Sequence, residues 1–208
     1  MTYDALIFDI DGTLWNKDCA AAQAWNNACK ELGIDRLISV DELKSVTGLP
    51  FNECVKALFK ELTDQELELY IQTIDRHEKL TLENNSGILY PGVKEGFDLL
   101  NTNYEIYLVS NCQVWYMNDF LDASQLGNYI SGFSCFQAPH SNKGDNLTHL
   151  IAKYDLKNPV YIGDTIWDLE ACQQAKCKFI HVTYGHNIIP NYQPAFSAFS
   201  ELVKFLMS

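Results

Sequence analysis

The amino-acid sequence predicts an α/β fold: a doubly wound, mostly parallel sheet with a small helical domain inserted into it. Short apolar runs without alternation recur along the chain, as strands buried on both faces of a parallel sheet require. Segments of helical period separate the later runs, and a β-α-β-α order implies crossovers that wrap helices around the sheet. A third observation locates the insertion, because residues 16–87 carry helical period and no convincing strand.

The first strand is read at Ala5-Leu6-Ile7-Phe8. The inserted block follows. Trp25, Ala28, Cys29 and Leu32 make one apolar helix stripe, and Val55, Leu58, Phe59 and Leu62 make another. A third runs through Leu67, Tyr70, Ile71 and Ile74, opened by Thr63 with Glu66 three residues on, a capping box. Helices are expected near 41–47 and 52–62. Asn84-Asn85-Ser86-Gly87 and Pro91-Gly92 are turn chemistry and mark the return to the sheet. The core is therefore assigned to residues 1–15 and 88–208, and the insertion to 16–87. Val93, Phe97 and Leu100 form a helix face before the strand Ile106-Tyr107-Leu108-Val109. Leu147, Leu150, Ile151 and Tyr154 form another before Val160-Tyr161-Ile162, and Phe179-Ile180-His181-Val182 is the fourth strand candidate.

Composition narrows the function. At 208 residues and 47% hydrophobic, the chain has material for one packed core plus an insertion, and global disorder is excluded. Its 27 acids against 15 bases leave a net charge of -12, which repels nucleic acid and anionic membranes. An anionic small substrate would then need a local cation. The seven cysteines include no C-x-x-C pair, which fits reduced thiols. No signal-like or membrane-spanning apolar run is present in the sequence, so a cytoplasmic protein is expected.

The residues leaving the strands hold the chemistry, because ligands of open parallel sheets collect at the carboxyl ends. The first strand ends at Asp9-Ile10-Asp11-Gly12-Thr13, the second at Ser110-Asn111, and a later one at Gly163-Asp164-Thr165-Ile166-Trp167-Asp168. Clustered carboxylates repel unless a cation lies between them, and hard oxygen ligands suit Mg²⁺. Lys143, in Ser141-Asn142-Lys143-Gly144-Asp145 before a predicted helix, adds an ammonium at an anion-binding helix start. Each piece alone has an ordinary reading. Asp-Gly is turn chemistry, Ser110-Asn111 could cap a helix, Asp164 and Asp168 could serve a helix start, and Lys143 could be a solvated lysine. Four such accidents at one edge do not explain the joint pattern.

D-x-D-G-T at 9–13, S-N at 110–111, Lys143 and G-D-x-x-x-D at 163–168 resemble, in order, the four motifs of the haloacid dehalogenase-like hydrolase superfamily. The helical insertion resembles its type 1 cap domain, and the chain is similar to the phosphoglycolate phosphatase-like branch, whose core is Rossmann-like. The resemblance implies a Mg²⁺-dependent phosphatase of small phosphate monoesters. It makes Asp9 the nucleophile and Asp11 the general acid and base. The Asp9 carboxylate, the Asp11 backbone carbonyl and Asp164 would hold Mg²⁺, with Asp168 supporting. Ser110, the Asn111 backbone and Lys143 would bind phosphate, and Thr13 would steady the Asp9–Asp11 loop. The presence of Asp11 argues for phosphoryl transfer over dehalogenation, since a halide leaving group needs no proton.

The expected partner is a small phosphorylated metabolite, with no nucleic acid or membrane, and the chain is expected as a monomer or homodimer. A sugar-phosphate phosphomutase and a non-catalytic phosphometabolite-binding protein are the alternatives. Several residues keep two readings. Gly48-Leu49-Pro50-Phe51 could touch substrate or merely connect two helices. Trp15 could line the site or pack at the hinge, and His140 could reach the phosphate or sit in a surface loop. Cys112 is read as a buried, inert thiol rather than an oxidation sensor. Tyr184-Gly185-His186-Asn187 could join the rim or be a turn.

Overall fold

The computed structural model describes residues 3–84, 86–136 and 142–208. In chain order the elements are β1 (Ala5–Phe8), β2 (Trp15–Asn16), α1 (Asp18–Glu31), α2 (Val40–Val46), α3 (Phe51–Leu58), α4 (Asp64–Asn84), β3 (Ile88–Leu89) and α5 (Val93–Leu100). They continue with β4 (Glu105–Val109), α6 (Val114–Ser124), β5 (Ile130–Ser134), α7 (Lys143–Lys153), β6 (Val160–Gly163), α8 (Ile166–Ala175), β7 (Lys178–Val182), β8 (Ala195–Phe196) and α9 (Phe199–Leu206). They divide into two compact units, Met1–Asn16 with Leu89–Ser208, and Lys17–Ile88.

The first unit holds a six-stranded sheet in the order β5-β4-β1-β6-β7-β8. Every pairing in it is parallel. The α/β class and the mostly parallel sheet are as the sequence predicts. β1 shows why its run lacks alternation. Ala5 and Ile7 pack with Tyr107, Tyr161 and the helix residues Leu147 and Leu150. Phe8 turns to the other face, 5.3 Å from the ring of Phe97 on α5 and 6.0 Å from Phe199 on α9. All four β1 side chains are 0% exposed. Burying each of the three larger ones is worth about 1.5–3 kcal/mol, so β1 is anchored from both sides.

Two strands of this sheet escape the sequence reading, as do the two-residue strands β2 and β3, which pair with each other, and the reason is physical. β5 reads Ile-Ser-Gly-Phe-Ser and lies at the sheet edge, half covered, so no continuous apolar run marks it. Its Gly132 allows Tyr154 to close in, since a Cβ there would lie 2.1 Å from the Tyr154 hydroxyl oxygen. β8 is two residues long and too short to carry a pattern.

The second unit is helical. Trp25, Ala28 and Cys29 of α1 pack with Val55 and Leu58 of α3 and Ile74 of α4, as the stripes require. The Thr63–Glu66 box forms: Glu66 N donates to Thr63 Oγ1 at 3.3 Å, and Thr63 N donates to Glu66 Oε2 at 2.9 Å. A second box, Ser39 with Glu42, opens α2. One helix is shorter than the expected 52–62. α3 ends at Leu58, because Phe59 is already extended, with φ -114° and ψ 91°, and the chain then turns through a positive φ of 64° at Glu61 towards the next box. Phe59 and Leu62 still join the same apolar cluster. Gly48 has a φ of 100° and Pro50 precedes α3, which is the geometry of a helix-to-helix connection. Among the described residues no helix is long and apolar enough to cross a membrane. Of the return segment, Asn85 lies outside the described residues, whereas Pro91-Gly92 forms a turn with Gly92 at a φ of 83°.

Candidate active site

β1 lies between β4 and β6, so the carboxyl ends of three adjacent strands open onto one rim. Asp9 continues β1, its N–H donating to the Ile162 carbonyl at 2.9 Å, and the residue is buried. The chain then folds back sharply. The N–H groups of Thr13, Leu14 and Trp15 all reach the Ile10 carbonyl, and Gly12 takes a φ of 80° that disfavours any side chain. A Cβ at Gly12 would also lie 2.1 Å from Asp164 Oδ2, so the turn must be glycine for two reasons.

Asp164 and Asp168 come from the end of β6 and the first turn of α8. Both are fully buried. Thr165 is the N-cap of α8 and forms a capping box with Asp168. Asp168 Oδ2 accepts from Thr165 N at 2.9 Å, Thr165 Oγ1 at 2.7 Å and Asp164 N at 3.2 Å. Its other oxygen faces Lys143. Lys143, the first residue of α7, is 3% exposed and is no solvated lysine. Its Nζ lies 2.6 Å from Asp168 Oδ1 and 3.1 Å from Asp9 Oδ1, the latter without hydrogen-bond alignment. Ligand atoms of Asp9, Asp164 and Asp168 lie within 4.8 Å of one another.

The Asp11 carboxylate is not in that cluster. Its Oδ1 accepts a hydrogen bond from the Tyr116 hydroxyl. Thr13, in the same loop, has its hydroxyl donating to Asp164 Oδ1 at 3.3 Å, a bond from the Asp9–Asp11 loop to the end of β6. Ser110 and Asn111 follow β4 and are buried. They cap no helix, because α6 begins at Val114 with Gln113 as its N-cap. Cys112 beside them is half-buried rather than buried, which corrects the sequence reading; its N–H donates to Ser110 Oγ at 3.4 Å. Trp15 packs edge-on against Phe120 at 5.4 Å. His140 and Ser141 lie outside the described residues.

The segment after β7 joins the rim. His186 N donates to Asp164 Oδ2 at 2.7 Å, and Tyr184 donates to the Thr13 carbonyl at 2.8 Å. His186 Nδ1 lies 3.2 Å from the same Asp164 oxygen. Sequence reasoning left His186 open and did not single out Tyr116, Tyr161 or Thr165 as site residues. The Tyr161 hydroxyl, inside β6, sits 2.8 Å from the Val109 carbonyl and 3.2 Å from Asp168 Oδ1, and a strand interior carries no motif signal.

The electrostatics follow from burial. Burial pushes Asp9 up to about 8; Lys143 opposes the shift, and the neighbouring acids add to it. Burial also raises Asp164, against the pull of His186. Asp168 feels burial most, yet Lys143 and the Thr165 bonds outweigh it and hold it below the usual carboxylate range. Burial works against the Lys143 charge, but Asp168 and Asp9 hold its ammonium above the ordinary lysine range.

The model of the haloacid dehalogenase-like hydrolase family matches residues 6–182. The chain belongs to this family. Among relatives of the haloacid dehalogenase-like hydrolase, a phosphoglycolate phosphatase from Psychrobacter arcticus is 28% identical over all of this chain and 97% of its own. A phosphoglycolate phosphatase from Aquifex aeolicus is also 28% identical, over 97% of this chain and 95% of its own. A haloacid dehalogenase-like family hydrolase from Streptococcus pneumoniae has a solved structure that superposes with a TM-score of 0.86 at 19% identity, covering 98% of each chain. That likeness supports the fold.

Proposed function

We propose that this hydrolase is a Mg²⁺-dependent phosphatase, cleaving small phosphate monoesters through an aspartyl-phosphate on Asp9. The observation that carries the reading is the buried charge balance. Three carboxylates converge within 4.8 Å and a single ammonium, Lys143, pairs with two of them. Ionised, that set has a deficit of positive charge; burial chiefly raises Asp9, to about 8, and the neighbouring acids add to the rise. An all-oxygen donor set with such a deficit fits a hard divalent cation.

Asp9, Asp164 and the Asp11 carbonyl would hold the cation, with Asp168 beside them, and bound there it would supply charge that keeps Asp9 ionised and neutralises phosphoryl oxygens. The Asp9 carboxylate attacks phosphorus in line with the leaving oxygen. Asp11 gives that oxygen its proton, then takes one from the water that hydrolyses the phosphorylated Asp9. Lys143 has three N–H bonds and gives one to Asp168 Oδ1, so it keeps donors for a phosphoryl oxygen. The Ser110 hydroxyl and the Asn111 backbone add donors where negative charge redistributes.

The names of the relatives put phosphoglycolate first among substrates to try. The seven cysteines are free thiols, which supports action in a reducing compartment, the cytoplasm. The helical unit Lys17–Ile88 is assigned the part of a cap domain. The test is phosphate release from phosphoglycolate, sugar phosphates, nucleoside monophosphates and p-nitrophenyl phosphate, with Mg²⁺ or chelator, by wild type and Asp9→Asn. Release that needs both Mg²⁺ and Asp9 is expected. Release that survives Asp9→Asn would overturn the assigned nucleophile.

A further inference from the structure

Helix α6 brings a side chain to the site that the motifs do not contain. Tyr116 is 3% exposed, and its hydroxyl donates to Asp11 Oδ1 at 2.5 Å, across 105 residues of sequence. The Tyr116 ring is held in turn by Trp115, edge-on at 5.8 Å. A phenol has one proton to donate, and here it is committed to one oxygen of one carboxylate.

Asp11 needs such a partner. It sits in the loop that turns at Gly12 and is only half-buried, and the χ2 torsion of a carboxylate is broad rather than held in one staggered well. A proton must pass to the leaving oxygen from a fixed place, and misplacement by about 1 Å costs on the order of 100-fold in rate. Resting on the phosphatase reading above, we propose that Tyr116 is the positioning residue for Asp11, holding Oδ1 so that Oδ2 exchanges the proton.

The bond suits both halves of the reaction. While Oδ2 carries the proton, Oδ1 is the carbonyl oxygen of a carboxylic acid and accepts from Tyr116. As Asp9 bonds to phosphorus and the ester P–O bond breaks, the Oδ2 proton passes to the leaving alkoxide oxygen. Asp11 is then a carboxylate, and Oδ1 accepts the same bond. In the second half water bonds to phosphorus, its proton returns to Oδ2, and the P–O bond to Asp9 breaks. The Tyr116 proton stays on its phenol throughout, so one donor serves the acid and the base form without rearranging.

Tyr116→Phe removes one oxygen and keeps the ring. Its effect should depend on the leaving group, because an alkoxide needs a proton and p-nitrophenolate does not. For phosphoglycolate, kcat/KM is expected to fall about 10- to 100-fold, in kcat more than in KM. For p-nitrophenyl phosphate it should change by less than about threefold. Equal losses on both substrates, or no loss on either, would overturn the proposal. Wild-type release that ignores Asp9→Asn is a different failure, that of the phosphatase reading. A crystal structure of Tyr116→Phe decides the geometry whatever the substrate. Asp11 is expected in more than one rotamer, and a single unchanged rotamer would overturn its positioning by Tyr116.

Discussion

An ammonium that is 3% exposed must be paired, and Lys143 is paired twice, with Asp9 and Asp168. Removing it leaves two carboxylates buried without their cation, and breaking a buried pair in this way typically costs about 3–5 kcal/mol. Lys143→Met is therefore expected to lower the urea midpoint sharply in chelator, and adding Asp168→Asn should recover part of the loss. Asp9 makes the complementary prediction. Its folded pKa is raised, to about 8, so the protonated form is favoured by the fold. Its contribution is fully present below the unfolded value of about 4 and is lost as pH rises through 8. In chelator, Asp9→Asn should raise the melting temperature over wild type at pH 8 and do so far less at pH 5; an equal effect at both values would contradict the assignment. Asp9, Lys143, Asp164 and Asp168, which the structure brings together, were legible because each stands at a strand end or helix start that the sequence marks. His186 was left open, since a segment after a strand can be rim or turn, and Tyr116 was not legible, because nothing along the chain says that α6 returns to the same rim.

At the scale of elements, the loop after β1 and the loop after β7 close on Asp164 from two sides. A Cβ at Gly12 would lie 2.1 Å from Asp164 Oδ2, and a Cβ at Gly185 would lie 2.3 Å from the Gly12 carbonyl oxygen. Gly12 also has a φ of 80°, so Gly12→Ala meets backbone strain as well as collision. It should displace Asp164 and weaken Mg²⁺ binding about 10- to 100-fold, as loss of supporting contacts around a metal ligand does. Calorimetric titration with Mg²⁺ checks this without relying on turnover; an unchanged affinity would mean that Asp164 does not contribute to the site. The same scale shows where sequence reasoning stops. β1, β4, β6 and β7 announce themselves because burial on both faces demands apolar runs. β5 and β8 do not, since an edge strand needs one good face and a two-residue strand needs only a neighbour with free backbone groups.

The whole molecule carries a net charge of -12, and at the rim one ammonium, Lys143, faces the buried carboxylates of Asp9 and Asp168. All of the candidate metal ligands lie in the unit formed by Met1–Asn16 and Leu89–Ser208, and none lies in Lys17–Ile88. A ligand stabilises only what must unfold to release it, by about 2.7 kcal/mol when its concentration is 100 times Kd. Mg²⁺ should therefore slow amide hydrogen exchange in β1, β6 and the first turn of α8, where the carboxylates are anchored. Exchange in α1–α4, held by their own cluster around Trp25, Val55 and Ile74, should be far less affected. Protection that rose equally in both units would mean either that they unfold as one cooperative body or that Mg²⁺ also binds outside the rim. The first case would shift every slow amide by the same free energy, and the second would persist in Asp9→Asn combined with Asp164→Asn, so the two can be told apart in one experiment.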